Sequence, residues 1–328
     1  MRKIKNVGAL YWIIILLLSL NCISCKSKVN GVDAGKEKNE TLYPLHFSHI
    51  AERDPFVLTD PVTQSYYIHS NAGNSVAVYQ SKDLSMWRKL EDHSFNPEPS
   101  FWGKKDFWAP DLFHYKGDYY LFITVSSETA KRGTTILISD SPRGPFKPLT
   151  NSAITPADWM CLDASLFVDH KNQPWLIFCH EWLEATDGGI YAVALSEDLT
   201  SVKREPVLLF TASSAPWVGS ITAHHVTGYV TDAPYIHRLD DGTLIMLWSS
   251  FDKQGMYAIG QAYSTSGEIA GPWLHEPMPL NSDDGGHAML FKDLNGKLKI
   301  AYHAPNSKNW RVSIKGVTLQ GKKLIPGN

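Results

Sequence analysis

Through most of the chain apolar and polar residues alternate with a period of two, in runs of roughly four to eight residues, the pattern of half-buried β-strands. Five stretches share one order: a polar lead residue, a short apolar strand, a turn and an aromatic strand. They are DPFVLTDPVTQSYYIHS from Asp54, DLFHYKGDYYLFITV from Asp111, DASLFVDHKNQPWLIFC from Asp163, DAPYIHRLDDGTLIMLWSS from Asp232 and HAMLFKDLNGKLKIAYH from His287. Their turns (KGD, KNQ, DDG, LNG) are rich in Gly, Asn and Asp, as tight hairpins require. A third alternating run follows each hairpin, among them VAVYQS, TTILIS, IYAVALS and YAIGQAYS. Several lead on to an edge segment such as SPRGPFKPL or SGEIAGPWLHE. Long amphipathic helical periods are missing. Antiparallel units of three or four strands, recurring about every 55 residues, predict an all-β fold, a five-bladed β-propeller over residues 46–328.

The alternation fails at the N-terminus. Arg2, Lys3 and Lys5 precede the apolar run YWIIILLLSL, which is shorter than the roughly 20 residues of a membrane span. The segment ends NCISCKS without an Ala-x-Ala site and resembles a bacterial lipoprotein signal, with Cys25 after Ser24 as the residue to be lipidated. Ordinary secretion is the alternative. Residues 1–25 are therefore expected to be a signal and 26–45, which contain KSKVNGVDAGKEKNE, a flexible tether. Export to a bacterial envelope, periplasmic or on the cell surface, permits a disulfide between Cys161 and Cys179; two buried free thiols are the other reading. No Cys/His spacing resembles a zinc site.

Composition narrows the partners. Hydrophobic residues make up 43% and charged residues 20%, enough for a sizeable core. The formal net charge is −2 with no basic stripe, which argues against nucleic acid as a partner. The 11 Trp either fill a core of aromatic strands or supply rings on which sugars stack.

In a propeller the first strand of each blade lines the central channel. Asp54, Asp111, Asp163, Asp232 and His287, as lead residues, should then converge at one end of it. One Asp opening a strand is an ordinary cap. Four of them crowded together carry an electrostatic cost that structure alone does not explain.

The motifs RDPFV at 53–57, FWAPDLFHYKGDYYLF at 107–122, LDASLFVD at 162–169, TDAP at 231–234 and GGHAMLF at 285–291 resemble glycoside hydrolase family 43. These are five-bladed propeller enzymes acting on arabinose- and xylose-containing glycans. The resemblance spans residues 46–317 and implies hydrolysis with inversion, in which acid and base stand about 6.5–9.5 Å apart so that water fits beside the sugar. It implies Asp54 as general base and Asp163 as the carboxylate that raises the acid's pKa. The family has Glu-Gly-Pro where this chain has Asp232-Ala233-Pro234. Asp is one methylene shorter, so its carboxyl reaches roughly 1.5 Å less far. Either Asp232 is the acid with a compensating backbone, or Glu181 in CHEW takes the role, or the protein is a weak or inactive sugar-binding relative. Asp232 is the preferred expectation. Glu181 belongs on the channel side because its strand runs antiparallel to the one opening at Asp163.

His287 matches the family histidine that helps hold a channel cation, commonly calcium, through water; a hydrogen-bonded core histidine is the alternative. Trp108, Asp111, Arg53, Trp182 and Trp217 are candidate substrate contacts, and Arg53 also stands beside the expected base. The resemblance implies removal of arabinofuranosyl or xylosyl residues from plant polysaccharide or oligosaccharide. Other propeller glycosidases (galactofuranosidase, galactosidase) and a non-catalytic glycan binder are the rivals. No accessory carbohydrate-binding domain is expected after residue 320.

Overall fold

The alternating runs form five antiparallel sheets, one for each repeat, in a computed structural model that describes residues 44–327. The expected signal at 1–25, its Cys25, and all but the end of the tether lie outside the described residues. Blade one comprises Val57–Asp60, Ser65–Asn71, Val76–Ser81 and Met86–Lys89, with Leu45–His46 added at its outer edge. Blade two comprises Lys105–Tyr115, Asp118–Ser126, Gly133–Ser139 and Lys147–Pro148. Blade three is Cys161–Val168, Pro174–His180, Gly189–Ala194 and Val207–Thr211. Blade four is Asp232–Arg238, Leu244–Phe251, Tyr257–Ser264 and Trp273–His275, and blade five is Gly286–Lys292, Leu298–Ala304, Arg311–Gln320 and Lys323–Pro326. The first strand of each blade packs beside the first strands of its two neighbours, which closes the ring of a five-bladed propeller.

Turn chemistry sets the register. Lys116 and Gly117 both take positive φ between the paired Tyr115 and Asp118, the two-residue turn that KGD predicts. Between blades the core is apolar and aromatic. Leu112, Leu121 and Phe107 of blade two pack on Tyr67 and Val78 of blade one, and Trp248 and Met246 of blade four pack on Ile177 and Ile190 of blade three.

Blade one is built wholly from the start of the described chain and blade five wholly from its end, with no strand exchanged between them. Their seam is held by side chains and single hydrogen bonds. Ile50, Phe56 and Ile68 pack on Met289, Phe291 and Val312. The Thr59 hydroxyl donates to the Lys292 carbonyl (2.7 Å), and the Leu294 N–H to the Tyr66 hydroxyl (2.9 Å).

Cys161 and Cys179 are buried free thiols. Leu162 pairs with Cys179 and Cys161 with His180, so the two cysteines sit one step out of register and point to opposite faces of blade three. Cys179 packs toward blade four and Cys161 toward blade two. A disulfide has no path through the sheet.

Candidate active site

The site grows out of one backbone irregularity repeated in every blade. Asp54, Ala109, Asp163, Ala233 and His287 have φ of 53°, 45°, 53°, 51° and 57°. Each is followed by Pro or Ala, and in blades two to five it lies where the first strand's register shifts against the second. Such bulges re-aim side chains and are common beside active sites, and a non-glycine residue at positive φ is strained. Four of the five bulges are tied to the blade before them through their own N–H. Asp54 donates to His303 Nδ1 (3.2 Å), Asp163 to Thr124 Oγ1 (3.0 Å) and His287 to Ser249 Oγ (2.8 Å). Thr124, Ser249 and His303 hold the same place on the second strands, opposite Trp108, Asp232 and Gly286. Blade three has Cys179 there, opposite Leu162, and the Ala233 N–H goes instead to Asp163 Oδ2 (3.1 Å).

The expected equivalence of the five lead residues is therefore corrected. Asp54, Asp163 and His287 are the bulge residues themselves. Asp232 stands one position before its bulge, matching Trp108, and Asp111 stands two positions after. Asp54, Asp163, Asp232 and His287 line one cavity of about 580 Å³ at the end of the channel. Asp111 does not. It is buried outside the lining and its Oδ1 has no hydrogen-bond partner.

The four groups form an electrostatic gradient. His287 Nδ1 lies 3.2 Å from Asp54 Oδ1 and 3.6 Å from Asp163 Oδ2. Burial pulls the imidazole's pKa down, but the two carboxylates outweigh it and hold the ring protonated, pushed up to about 10. Burial likewise opposes charge on Asp54, and His287 with its hydrogen bond reverses this, holding the carboxyl well below the usual carboxylate range. Asp163 is raised to about 6 by burial, with Asp54 adding to the rise and His287 opposing it. Asp232 is raised to about 8 by burial and by the Asp163 charge, against a hydrogen bond that the Tyr257 hydroxyl donates to its Oδ2 (2.9 Å). Across a few ångströms the carboxyls pass from firmly ionised to protonated at neutral pH.

Two groups that sequence reasoning missed support this gradient. His303 is fully buried and, in accepting the Asp54 N–H at Nδ1, carries its proton on Nε2, which faces Asn306 Oδ1 at 3.3 Å. Burial keeps it neutral, pulled down to about 4. Tyr257 reaches Asp232 past Gly286, where an added Cβ would fall 2.1 Å from the tyrosine ring. The repeat held a signal for His303, since it occupies the place of Thr124 and Ser249; Tyr257 opens the third strand of blade four, where no motif marks it.

Glu181 is on the cavity wall, as its strand direction predicts, and is buried. It is not an exposed loop carboxylate. Burial raises its pKa, while the guanidinium of Arg132, in a close ion pair with it, favours the charged form. Arg132 also lies 3.5 Å from Asp106 and stacks 4.3 Å from the centre of the Trp108 ring. Trp108 is 38% exposed and lines the cavity, as do Trp182 and Arg53. Arg53 Nε is 4.0 Å from Asp54 Oδ1.

Trp217 corrects the sequence reading. It is 4% exposed, lies outside the cavity lining and packs on Trp248 with its ring against Gly260, where a Cβ would leave only 2.6 Å. It is a core residue.

A directly bound calcium does not fit these side chains. Calcium takes six to eight oxygen ligands, and among the described residues no three His, Cys, Asp or Glu gather as a ligand set. His287 Nδ1 already faces two carboxylates.

Comparison with known proteins agrees with this geometry. The family described as glycosyl hydrolases family 43 matches residues 47–322. The crystal structure of an endo-arabinase from Bacteroides thetaiotaomicron VPI-5482 is 57% identical, with a TM-score of 0.85, and the match covers 86% of this chain and 99% of that one. An extracellular exo-alpha-(1->5)-L-arabinofuranosidase of Cellvibrio japonicus (strain Ueda107) is 26% identical over 254 residues, 71% of this chain and 70% of its own. An extracellular endo-alpha-(1->5)-L-arabinanase of Bacillus subtilis (strain 168) is 26% identical over 224 residues, 64% of this chain and 62% of its own.

Proposed function

Because the chain belongs to glycosyl hydrolases family 43 and is a glycosidase, we propose that it cleaves arabinofuranosyl linkages in arabinan or its oligosaccharides with inversion of configuration. The observation that carries the reading is the gradient from ionised Asp54 through protonated His287 to Asp163 and protonated Asp232. Asp54, held charged by His287, accepts a proton from the attacking water. Asp232 gives its proton to the departing glycosidic oxygen. Asp163 keeps that proton on Asp232 between turnovers and, by accepting the Ala233 N–H, fixes the backbone beside it. An acid that is neutral and a base that is charged at one pH are what inverting chemistry needs.

The choice of arabinose rests on the endo-arabinase at 57% identity and on the two curated relatives; xylosyl and galactofuranosyl linkages are the competing specificities. The test is a screen of linear arabinan and aryl arabinofuranoside, xyloside and galactofuranoside, with product anomers followed by NMR and Asp54→Asn as the control. Turnover of the arabinose substrates with an inverted product, abolished by Asp54→Asn, is expected. Turnover of the xyloside alone overturns the choice of sugar. Binding of oligosaccharide without turnover of any substrate overturns the enzyme assignment.

The same reading places the enzyme outside the cytoplasm, held to a bacterial envelope through a lipid on Cys25. Its support is the basic, then apolar, then cysteine-containing leader and the extracellular description of two relatives. Loss of fatty-acid labelling in Cys25→Ser is the check. For the channel ion the proposal extends only to calcium held through water near His287; it requires the neutral imidazole and so competes with the ion pair to Asp54 and Asp163, and no step of the reaction is assigned to it. Chelated protein regaining thermal stability on calcium addition is its measurement.

A further inference from the structure

We propose that Trp310 is a second sugar-stacking platform, placed to hold a sugar unit of the substrate chain beyond the one being cleaved, with Arg53 as the positioning residue that backs it. The inference rests on the glycosidase reading above and names a part of the site that reading leaves empty. Trp310 lies between the strands Leu298–Ala304 and Arg311–Gln320 of blade five and lines the same cavity as the carboxyl groups. The Arg53 guanidinium sits 5.4 Å from the centre of its ring.

That arrangement repeats the one at Trp108, which is backed by Arg132 and also faces the cavity. A guanidinium on one face of an indole fixes the ring and leaves its second face free. The C–H face of a furanose or pyranose is weakly positive and apolar, and suits the negative face of the ring.

The connection that carries Trp310 is tied down on both sides of it. Arg53 donates to the Asn306 side-chain oxygen (2.7 Å) and to the Asn306 carbonyl (3.4 Å). The Ser307 N–H donates to Asp284 Oδ2 (3.2 Å), and Arg311 Nη1 to the Trp310 carbonyl (2.7 Å). The ring is therefore offered on a fixed backbone, which lowers the ordering cost of binding. Blade one, with Asp54, lies between blades two and five, so the two tryptophans flank the proposed base from opposite sides. The geometry fits a chain of several sugars laid across the cavity.

The experiment uses Asp54→Asn protein, which holds substrate without cleaving it, and arabino-oligosaccharides of increasing length, with affinity measured by calorimetry. With Trp310 intact, affinity rises by roughly tenfold when the chain first reaches the second platform. Trp310→Ala in that background removes the step, Trp310→Phe keeps most of it, and Arg53→Ala weakens it with partial rescue by Arg53→Lys. Thermal midpoints taken in parallel separate this from misfolding, and if the Ala variant is unstable Trp310→Leu, which keeps bulk without an aromatic face, decides: a step lost in a stable Leu variant supports the platform, and a step kept there overturns it. A length step that survives Trp310→Ala overturns the inference while leaving the arabinan reading intact. If arabino-oligosaccharides of every length fail to bind the Asp54→Asn protein, the arabinan reading falls, and this inference with it.

Discussion

Asp232 and Glu181 turn their carboxyl groups into the same cavity from neighbouring blades, and burial raises the pKa of both. Their partners differ. Asp232 has another carboxylate beside it and one neutral hydroxyl donating to it, so it keeps its proton up to about 8. Glu181 has Arg132, which favours the anion and is itself stacked on Trp108. Desolvation alone would have made either one a candidate acid. The neighbouring charge separates them: a carboxylate beside Asp232 favours its protonated form, and Arg132 beside Glu181 favours the anion, which supports the proposed acid role for Asp232.

The sharpest way to break that contrast is to neutralise each group in turn. Asp232→Asn should lower kcat/KM on arabinan on the order of 10³-fold, with an activated aryl arabinofuranoside spared because its leaving group needs no proton. The same pattern in Glu181→Gln instead would reverse the assignment. Glu181→Gln should act mainly on the fold, since it leaves Arg132, whose side chain is 14% exposed, with Asp106 as its remaining carboxylate; a loss of about 2 kcal/mol in denaturant unfolding is expected. Gly286→Ala comes next. The new methyl group has to displace the Tyr257 ring, and a cost of roughly 1–3 kcal/mol is expected together with loss of the hydroxyl from Asp232.

The smallest effect is a shift in pH profile. The proposed acid role of Asp232 requires the protonated carboxyl, so activity should fall as pH rises through about 8. The Tyr257 hydroxyl donates to the carboxylate and so favours the ionised form; Tyr257→Phe removes that help and should move the alkaline limb to higher pH. An unmoved limb would mean that some other group sets it.

The blades were legible because period-two alternation and Gly- or Asn-rich turns are local properties. The cluster of Asp54, Asp163, Asp232 and His287 followed once the repeats were recognised. Their alignment was not fully legible, because the acidic residues mark the repeats in the sequence, whereas the fold aligns the strained residues before Pro or Ala. Asp111 was misplaced for that reason: it lies beyond the bulge, outside the cavity lining, where only the three-dimensional turn of the strand could put it. Trp217 and Trp310 show the same limit. Both stand in irregular segments, and nothing local distinguishes an indole opposite Gly260 in the core from one over Arg53 at the cavity. Glu181 was legible because strand direction alone carries it to the right end of its blade.

The unexchanged seam between blades one and five gives the site a dependence on completed folding. Asp54 belongs to the first blade, while His287 and His303, which set its charge and hold its backbone, belong to the last. Blades three and four can assemble the acid side from neighbouring sequence. The proposed base gains these partners only when the two ends of the described chain meet. On the proposed roles, a chain with four finished blades would carry the proton donor without a paired base, and activity would then report that the ring has shut.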